Sequence, residues 1–341
     1  MAIQLLQMLS FFWAPPGARI IISLTNIFAL ITLLLVTAAL VGPSPEKAAR
    51  VILFAMLLAG IVYILGALAA GPGPQGRYSA FGGGPNVFAR ILCLGVIASI
   101  SLSFSYRRRS LLLPIPLLLG GTFLSGSRGA IVSLVGAATV AFVIVFRRIR
   151  LSLLLLISAL GTGLAAVAWN VLNGHTSLSA RYSSDSLADT DYSHRPELLA
   201  YARDVFYENP VFGAGLDGFF AKVGNSIGIA YPHNLFMSVA AETGLAGLAL
   251  VAVALIAVVR DLASQRRFTS ARLGIAMCAL YVGIASMFSG DYYDARFMWI
   301  CLIVATSSAA WTDGKTRLFT RDPVDQLAPG KGSAAHKGDL A

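Results

Sequence analysis

The sequence predicts an all-α, polytopic membrane protein with about 9–10 transmembrane helices and one large loop outside the membrane. Of its 341 residues, 57% are hydrophobic and only 12% are charged, whereas charged residues make up about a quarter of a soluble domain. The mean hydropathy is +0.74. These values exclude a soluble globular enzyme, a disordered chain and a small disulfide-rich domain.

Nine apolar runs approach the length of about 20 residues that a bilayer-crossing helix needs. They lie near residues 20–41, 51–70, 86–105, 110–125, 129–146, 151–170, 234–259, 271–289 and 296–311. Residues 2–13 are also apolar but precede Pro15 and Pro16, so this stretch is either interfacial or a short tenth span. The expected segments are an N-terminal segment (1–19), six helices (20–170), an outer loop (171–233), three helices (234–311) and a tail (312–341) whose composition predicts disorder.

The basic residues are divided unevenly between the two sides, which gives the expected orientation. If the three arginines at 107–109 lie in the cytoplasm, alternation of the spans places 17 of the 26 Lys and Arg residues inside and 9 outside. Cytoplasmic loops of membrane proteins carry such an excess of positive charge. The net charge of +10 therefore reflects membrane orientation, and no nucleic-acid partner is expected.

Residues 171–233 form the one long connection between spans, and they lie on the outer side in this orientation. The loop holds three of the four histidines and 7 of the 16 acidic residues, and loops this long are usually functional. Within it, 195–208 is expected to be an amphipathic helix, because Pro196 and Glu197 suit a first turn. Its apolar face comprises Leu198, Ala202, Val205 and Phe206.

Arg128 follows the turn Ser125-Gly126-Ser127 between two apolar runs. An arginine at membrane depth is costly and usually faces a cavity or a partner, and its planar fork suits phosphate. The alternative is an interfacial anchor whose side chain reaches toward water. The glycine-rich outer loop 77–86 either lets the backbone approach a ligand or forms a tight turn.

His233, in the sequence Tyr231-Pro232-His233-Asn234, opens the seventh span at the outer face. The partial positive charge of a helix N-terminus binds anions and disfavours protonated imidazole. A neutral histidine at a wet membrane surface suits a general base. The alternative is an ordinary capping or interfacial histidine.

Three other groups have weaker functional interpretations. The sequence Asp189-Thr190-Asp191 matches the acidic pair with which nucleotide-sugar transferases hold a metal, but nucleotide sugars are not supplied outside, so a solvated turn is favoured over a metal site. Glu242 is expected to hydrogen-bond a neighbouring span near Gly244 and Gly247. The three cysteines lie in apolar runs without metal-ligand spacing and are expected to be core residues: Cys93, Cys278 and Cys301.

Three ordered segments carry a resemblance to a known family. They are Leu124-Ser125-Gly126-Ser127-Arg128-Gly129-Ala130, then Asn209-Pro210-Val211-Phe212-Gly213-Ala214-Gly215-Leu216 preceded by Arg195, then His233-Asn234-Leu235-Phe236 running into Ala241-Glu242-Thr243-Gly244-Leu245-Ala246-Gly247. Together with the loop that begins at Arg77, they resemble the O-antigen ligase / Wzy polymerase superfamily of bacterial polysaccharide assembly. The resemblance covers about residues 75–310.

The resemblance implies a metal-independent, inverting glycosyltransferase at the periplasmic face of the bacterial inner membrane, with no cofactor. Its donor would be a glycan on undecaprenyl pyrophosphate, and its acceptor lipid A core (a ligase) or another carrier-linked repeat unit (a polymerase). Arg128 and Arg195 would bind the pyrophosphate, and His233 would act as base or position the acceptor. Further substrate-binding residues would be Arg77, Ser127, Asn234 and Arg181, the last as an alternative to Arg195.

A membrane transporter or flippase is the main competing interpretation. It predicts ionisable residues near the middle of the spans and a repeated arrangement of helices. The predicted spans carry almost no charge at their centres, and no internal repeat is evident. The sequence therefore favours the enzyme.

Overall fold

The computed structural model describes residues 2–42, 44–73, 76–145, 195–264, 269–292 and 294–307, and its regular elements within these ranges are all helices. The helices are α1 (Ala2–Leu9), α2 (Ile20–Val41), α3 (Pro45–Ala70), α4 (Pro85–Tyr106), α5 (Ile115–Leu124), α6 (Arg128–Val145), α7 (Arg195–Glu208), α8 (Leu235–Ser264), α9 (Ser270–Ala285) and α10 (Arg296–Thr306). The prediction of a polytopic all-α membrane protein is confirmed. The predicted span 151–170 and tail 312–341 lie outside the described residues.

Four described helices are long and apolar enough to cross a membrane: Ile20–Val41, Pro45–Ala70, Pro85–Tyr106 and Leu235–Leu262. Helices α5, α6, α9 and α10 are apolar but shorter. The predicted spans near 110–125 and 271–289 therefore contain helices of only 10 and 16 residues. In the first of these, a separate 3-10 turn at Arg109–Leu112 precedes α5, and Pro114 and Pro116 prevent a continuous α-helix through this region.

Helix α3 begins at Pro45, before the apolar run predicted to start at residue 51. Pro45 occupies the first turn, where its missing N–H costs nothing, and Glu46 lies in the same turn. The Arg50 side chain donates to Glu46 one turn earlier at 3.0 Å. A polar first turn therefore extends the helix beyond its hydrophobic part.

The N-terminal segment contains a short helix that packs against the bundle. Helix α1 has eight residues and continues as a 3-10 turn to Trp13, which gives a length of about 18 Å at 1.5 Å per residue, whereas the hydrocarbon core is about 30 Å thick. The segment instead packs against α8, with Gln4 and Gln7 buried. The Ser10 carbonyl accepts a hydrogen bond from the Leu216 N–H at 3.2 Å.

Helix α4 forms the centre of the described bundle. It packs against α3, α5 and α9. Of its most apolar stretch of 18 residues, 72% is buried inside the protein, compared with 17% for the same length of α2. Phe88, Leu92 and Leu102 fill the space between these helices. Asn86 lies in the first turn of α4 and Tyr106 in its last turn. These two residues therefore mark opposite ends of the bundle.

The segments predicted to face the cytoplasm meet at one end of the bundle. The Thr269 hydroxyl donates to the Glu46 carboxylate at 2.6 Å, and the Arg50 guanidinium lies 5.6 Å from the Tyr106 ring centroid. Buried Arg272 pairs with Asp261 at 3.0 Å. These contacts agree with the predicted alternation of the loops, since residues from 42–50, 106–109 and 260–272 share one end.

Helix α7 runs from Arg195 to Glu208, the bounds predicted from sequence. Leu198, Ala202 and Val205 are buried, Phe206 is partly buried, and the helix packs against α8. The prediction of a loop helix with one buried apolar face is confirmed. This packing brings the start of α7, at Arg195, to the end of the bundle opposite Glu46 and Thr269.

Candidate active site

Residues 209–216 and residues 241–246, which belong to two of the segments that carry the family resemblance, are joined by backbone hydrogen bonds, here termed the interlock. The loop 209–216 lies across α8 where that helix is interrupted at Gly244. Four hydrogen bonds join them, from Ala214 N to Ala241 O (2.8 Å), Gly215 N to Glu242 O (3.0 Å), Leu245 N to Pro210 O (2.8 Å) and Ala246 N to Val211 O (3.0 Å). The interruption leaves backbone N–H and C=O groups of α8 without hydrogen-bond partners inside the helix, and the loop supplies those partners. Buried backbone groups need such partners.

Two glycines make this approach sterically feasible. Gly244 has φ 62° and ψ −155°, a conformation essentially restricted to glycine. A Cβ atom there would lie 2.5 Å from the Val211 carbonyl oxygen, and one at Gly213 would lie 2.3 Å from the Glu242 carbonyl carbon. The glycines of both motifs therefore serve close backbone packing.

A small basic cleft lies between α4, α6, α7 and the loop after α9. Its polar lining includes Asn86, Arg90, Ser127 and Arg195, and its free volume is about 20 Å³. These residues come from three segments that are distant in sequence. The structure therefore brings predicted Ser127 and Arg195 together, and adds Arg90, which the sequence analysis did not select.

Hydrogen bonds fix the turn before α6. The Arg77 Nε donates to the Ser125 carbonyl at 2.7 Å, and the Ser127 hydroxyl donates to Asn86 Oδ1 at 3.0 Å. Arg128 is the first residue of α6, between two residues that line the basic cleft, and is itself not part of that lining. Arg77 therefore contacts the turn before α6 through its Nε, and its role in substrate binding stays a prediction.

Arg90 is the main functional candidate that the sequence analysis missed. It is 7% exposed, and its Nη2 donates to the Ser289 carbonyl at 2.7 Å. Its Nη1 is 3.4 Å from the Asp294 carbonyl. The sequence does contain a signal for Arg90. It is a single arginine in the second turn of an apolar span, and placing its charge at membrane depth costs free energy, as it does for Arg128.

His233 has an unusual backbone conformation immediately before α8. Its φ of 55° lies in the left-handed region, which costs a residue with a β carbon about 1–2 kcal/mol. Asn234 Oδ1 accepts from the Met237 N–H at 3.1 Å, and Asn234 Nδ2 donates to the Met287 carbonyl at 3.1 Å. Predicted substrate-binding Asn234 therefore caps the helix and fixes the backbone that carries His233.

The surroundings of His233 favour its neutral form. Burial lowers the pKa of His233, the Arg195 guanidinium lowers it further, and the Asp294 carboxylate opposes both by raising it. The ring centroid of Tyr231 lies 4.6 Å from that of His233, and the Tyr231 hydroxyl donates to Asp294 Oδ2 at 3.3 Å. Burial and the nearby carboxylates raise the pKa of Tyr231, so this hydroxyl keeps its proton.

Tyr231 also lines a larger cavity of about 240 Å³, here termed the acidic cavity. Its charged lining residues are Arg19, Asp217, Glu242 and Asp291. Glu242 therefore lines a cavity, and its hydrogen bond to a neighbouring span stays a prediction. Leu216 and Asp217, at the end of the loop that packs on α8 at the Gly244 interruption, belong to the same lining.

Several predicted residues lie outside the described part of the chain: Arg181, Asp189, Asp191, His175 and His194. The three cysteines are buried and free, as predicted for core residues. Among the described residues, no group of three or more His, Cys, Asp or Glu side chains could hold a metal ion.

Comparison with protein families matches residues 113–252 to the O-antigen ligase family. This range includes Ser127 and Arg195 of the basic cleft, His233 and the interlock of 209–216 with α8, whereas Asn86 and Arg90 of the cleft lie outside it. A comparison with curated proteins finds no match. The matched segment supports membership of the O-antigen ligase / Wzy superfamily.

Proposed function

We propose that the protein transfers a glycan from undecaprenyl pyrophosphate to a saccharide acceptor, lipid A core or a similar glycan, at the periplasmic face of the bacterial inner membrane. Its family supports a ligase- or polymerase-type role in polysaccharide assembly with a lipid-linked glycan substrate. The observation that carries the proposal is the convergence of Arg195, Arg90 and Ser127 in one cleft beside a histidine whose environment keeps it neutral.

The basic cleft supplies the groups that a departing pyrophosphate needs. Charge builds up on the leaving oxygen in the transition state, and fixed guanidinium groups stabilise it without reorganisation. Arg195 in the cleft lining and Arg128 at the adjacent start of α6 are proposed to contact the pyrophosphate, with Arg90 held in the same lining by the Ser289 and Asp294 carbonyls. The present volume of about 20 Å³ holds about one water molecule, so we expect donor binding to move the arginine side chains apart.

His233 is proposed to be the general base. The acceptor hydroxyl oxygen attacks the anomeric carbon of the donor, the bond from that carbon to the pyrophosphate oxygen breaks, and undecaprenyl pyrophosphate leaves with the electron pair. The hydroxyl proton passes to the unprotonated ring nitrogen of His233, which later releases it to water. Attack on the face opposite the leaving group inverts the configuration at that carbon.

The strained backbone at His233 supports a functional role. Residues in the left-handed region persist only where the surroundings enforce them, and such residues concentrate at active sites. Here Asn234 and the Leu235 N–H, which donates to the Ser286 carbonyl at 2.9 Å, enforce it. A metal is not required by this scheme, because the pyrophosphate is already an activated leaving group and the arginines supply the positive charge.

A deletion strain tests the function and separates its alternatives. Loss of a ligase leaves long glycans on the carrier lipid, unattached to lipid A core. Loss of a polymerase leaves single repeat units, and loss of a flippase leaves units facing the cytoplasm. Accumulation of polymerised, carrier-linked glycan on the periplasmic side is the expected result; unchanged surface glycan would refute the proposal.

A further inference from the structure

The acidic cavity is a second polar space that the pyrophosphate chemistry does not use. It lies between α2, α8 and the loops 216–231 and 291–292, with a volume of about 240 Å³. That volume corresponds to about eight water molecules, enough for one pyranose ring rather than a longer chain. Ile22, Ile27 and Leu30 of α2 form its apolar wall.

The charges of the acidic cavity exclude the pyrophosphate. Asp217, Glu242 and Asp291 face a single arginine, Arg19. That arginine is already committed, because its Nε and Nη2 donate to the Asp217 carboxylate at 3.0 and 2.8 Å. A diphosphate would lie close to the Asp217 and Asp291 carboxylates, and the repulsion between like charges is unfavourable at short range. A ligand rich in hydroxyl groups fits the same lining, since carboxylates accept hydrogen bonds from hydroxyls strongly.

Two acidic side chains of this cavity are buried, and Arg19 and Tyr292 are held in place by contacts. Asp217 is 6% exposed and Glu242 is 9% exposed. The Arg19 guanidinium stacks on the Phe220 ring at 3.5 Å from its centroid. The Tyr292 hydroxyl donates to the Ser238 carbonyl at 2.9 Å. Such a rigid set of donors and acceptors around a cavity is typical of a small-molecule site.

The cavity also has a defined relation to the proposed base. Tyr231 lines it, and the same ring lies 4.6 Å from the His233 ring. Tyr231 is therefore the residue that links the acidic cavity to His233. We expect a sugar bound against Tyr231 to place a hydroxyl near His233, while the donor pyrophosphate occupies the basic cleft.

We propose that the acidic cavity binds one sugar ring of the acceptor glycan, with Glu242 and Asp291 accepting hydrogen bonds from its hydroxyls and Asn26 and Ser23 of α2 contacting its outer edge. The identification of this sugar as part of the acceptor rests on the proposed function, whereas the binding of a sugar ring in the cavity does not. It also gives a role to the interlock of 209–216 with α8, which holds Asp217 and Glu242 on facing walls of the cavity.

Sugar binding is tested first without any transfer reaction. Saturation-transfer NMR is recorded on the protein in lipid nanodiscs with the methyl glycosides of glucose, galactose and N-acetylglucosamine. The wild type and Arg195→Ala should both give a signal with at least one glycoside. Asn26→Leu, which fills the cavity mouth, should lose it, and the neighbouring Thr25→Leu should not. Absence of binding to the wild type, or equal binding by Asn26→Leu, would overturn the proposal.

The acceptor role is tested by transfer kinetics with purified protein. Glu242→Gln should raise the KM for acceptor by roughly three- to tenfold, as for the loss of one uncharged hydrogen bond, and leave the KM for the carrier-linked donor unchanged. Asn26→Leu should act in the same direction with unchanged thermal stability. A rise in donor KM alone would assign the cavity to the donor glycan and refute the inference. If the wild type transfers nothing, the proposed function fails, while the binding experiment still reports on the cavity.

Discussion

Gly244→Ala should strongly destabilise the protein, because it breaks the interlock between α8 and the loop 209–216. The backbone at Gly244, with φ 62° and ψ −155°, costs an alanine about 2 kcal/mol. The added Cβ would lie 2.5 Å from the Val211 carbonyl oxygen, which forces the loop away. Losing the bonds donated by the Leu245 and Ala246 N–H groups adds about 1 kcal/mol each, for a total of about 4 kcal/mol.

Gly228→Ala is the matched control. Gly228 also has positive φ, 69°, but nothing lies within 4 Å of a Cβ atom there. This substitution should cost only the left-handed conformation, about 1–2 kcal/mol. Unfolding in mixed detergent micelles measures both free energies, and glycan transfer by the folded fraction should fall for Gly244→Ala alone. Equal destabilisation by the two substitutions would refute the steric account of the interlock.

Three further predictions concern charge and orientation. Arg195→Ala should slow transfer on the order of 100-fold, as for a lost oxyanion donor, and Arg128→Lys should stay impaired because a point charge does not replace the bidentate fork. Arg203→Ala, on the exposed face of α7, is the control. The rate should fall as pH drops through the lowered pKa of His233, below its ordinary value of 6.5. Arg195→Ala should move this acid limb to higher pH and Asp294→Asn to lower pH; a limb that does not move would contradict the assigned base. Ser226→Cys should react with an impermeant thiol reagent added from the periplasm and Ser110→Cys should not, since the native cysteines are buried; the reverse pattern would invert the orientation.

The sequence predicted those features that depend on hydrophobic pattern and local signals. Helix α7 has the predicted bounds because Pro196 and Glu197 mark its start and its apolar residues share one face. The central spans followed from their composition. The start of α3 was misjudged because its first turn is polar, and the short α5 because two prolines break an otherwise apolar run.

The candidate site was only partly predictable. The order of the motifs indicated Arg195, Ser127 and His233, which the fold brings to one end of the bundle. The position of Arg90 in the lining of the cleft, and of Glu242 in a cavity with Arg19 and Asp217, depends on contacts between segments about 200 residues apart. Nothing local in the sequence records such contacts. The role of the paired glycines became clear only from the backbone path at Gly244.

Transfer by purified His233→Ala protein from an undecaprenyl-pyrophosphate-linked donor tests the central claim most directly. The account predicts that this variant binds the donor almost as the wild type does but transfers no glycan, because the proton moves only in the transition state. His233→Asn should fail as well, since an amide keeps a hydrogen bond but cannot accept the proton. A chelator should leave the wild-type rate unchanged. Near wild-type turnover by His233→Ala, or a reaction that stops with chelator and resumes with a divalent metal, would contradict the account and redirect attention to Asp189 and Asp191.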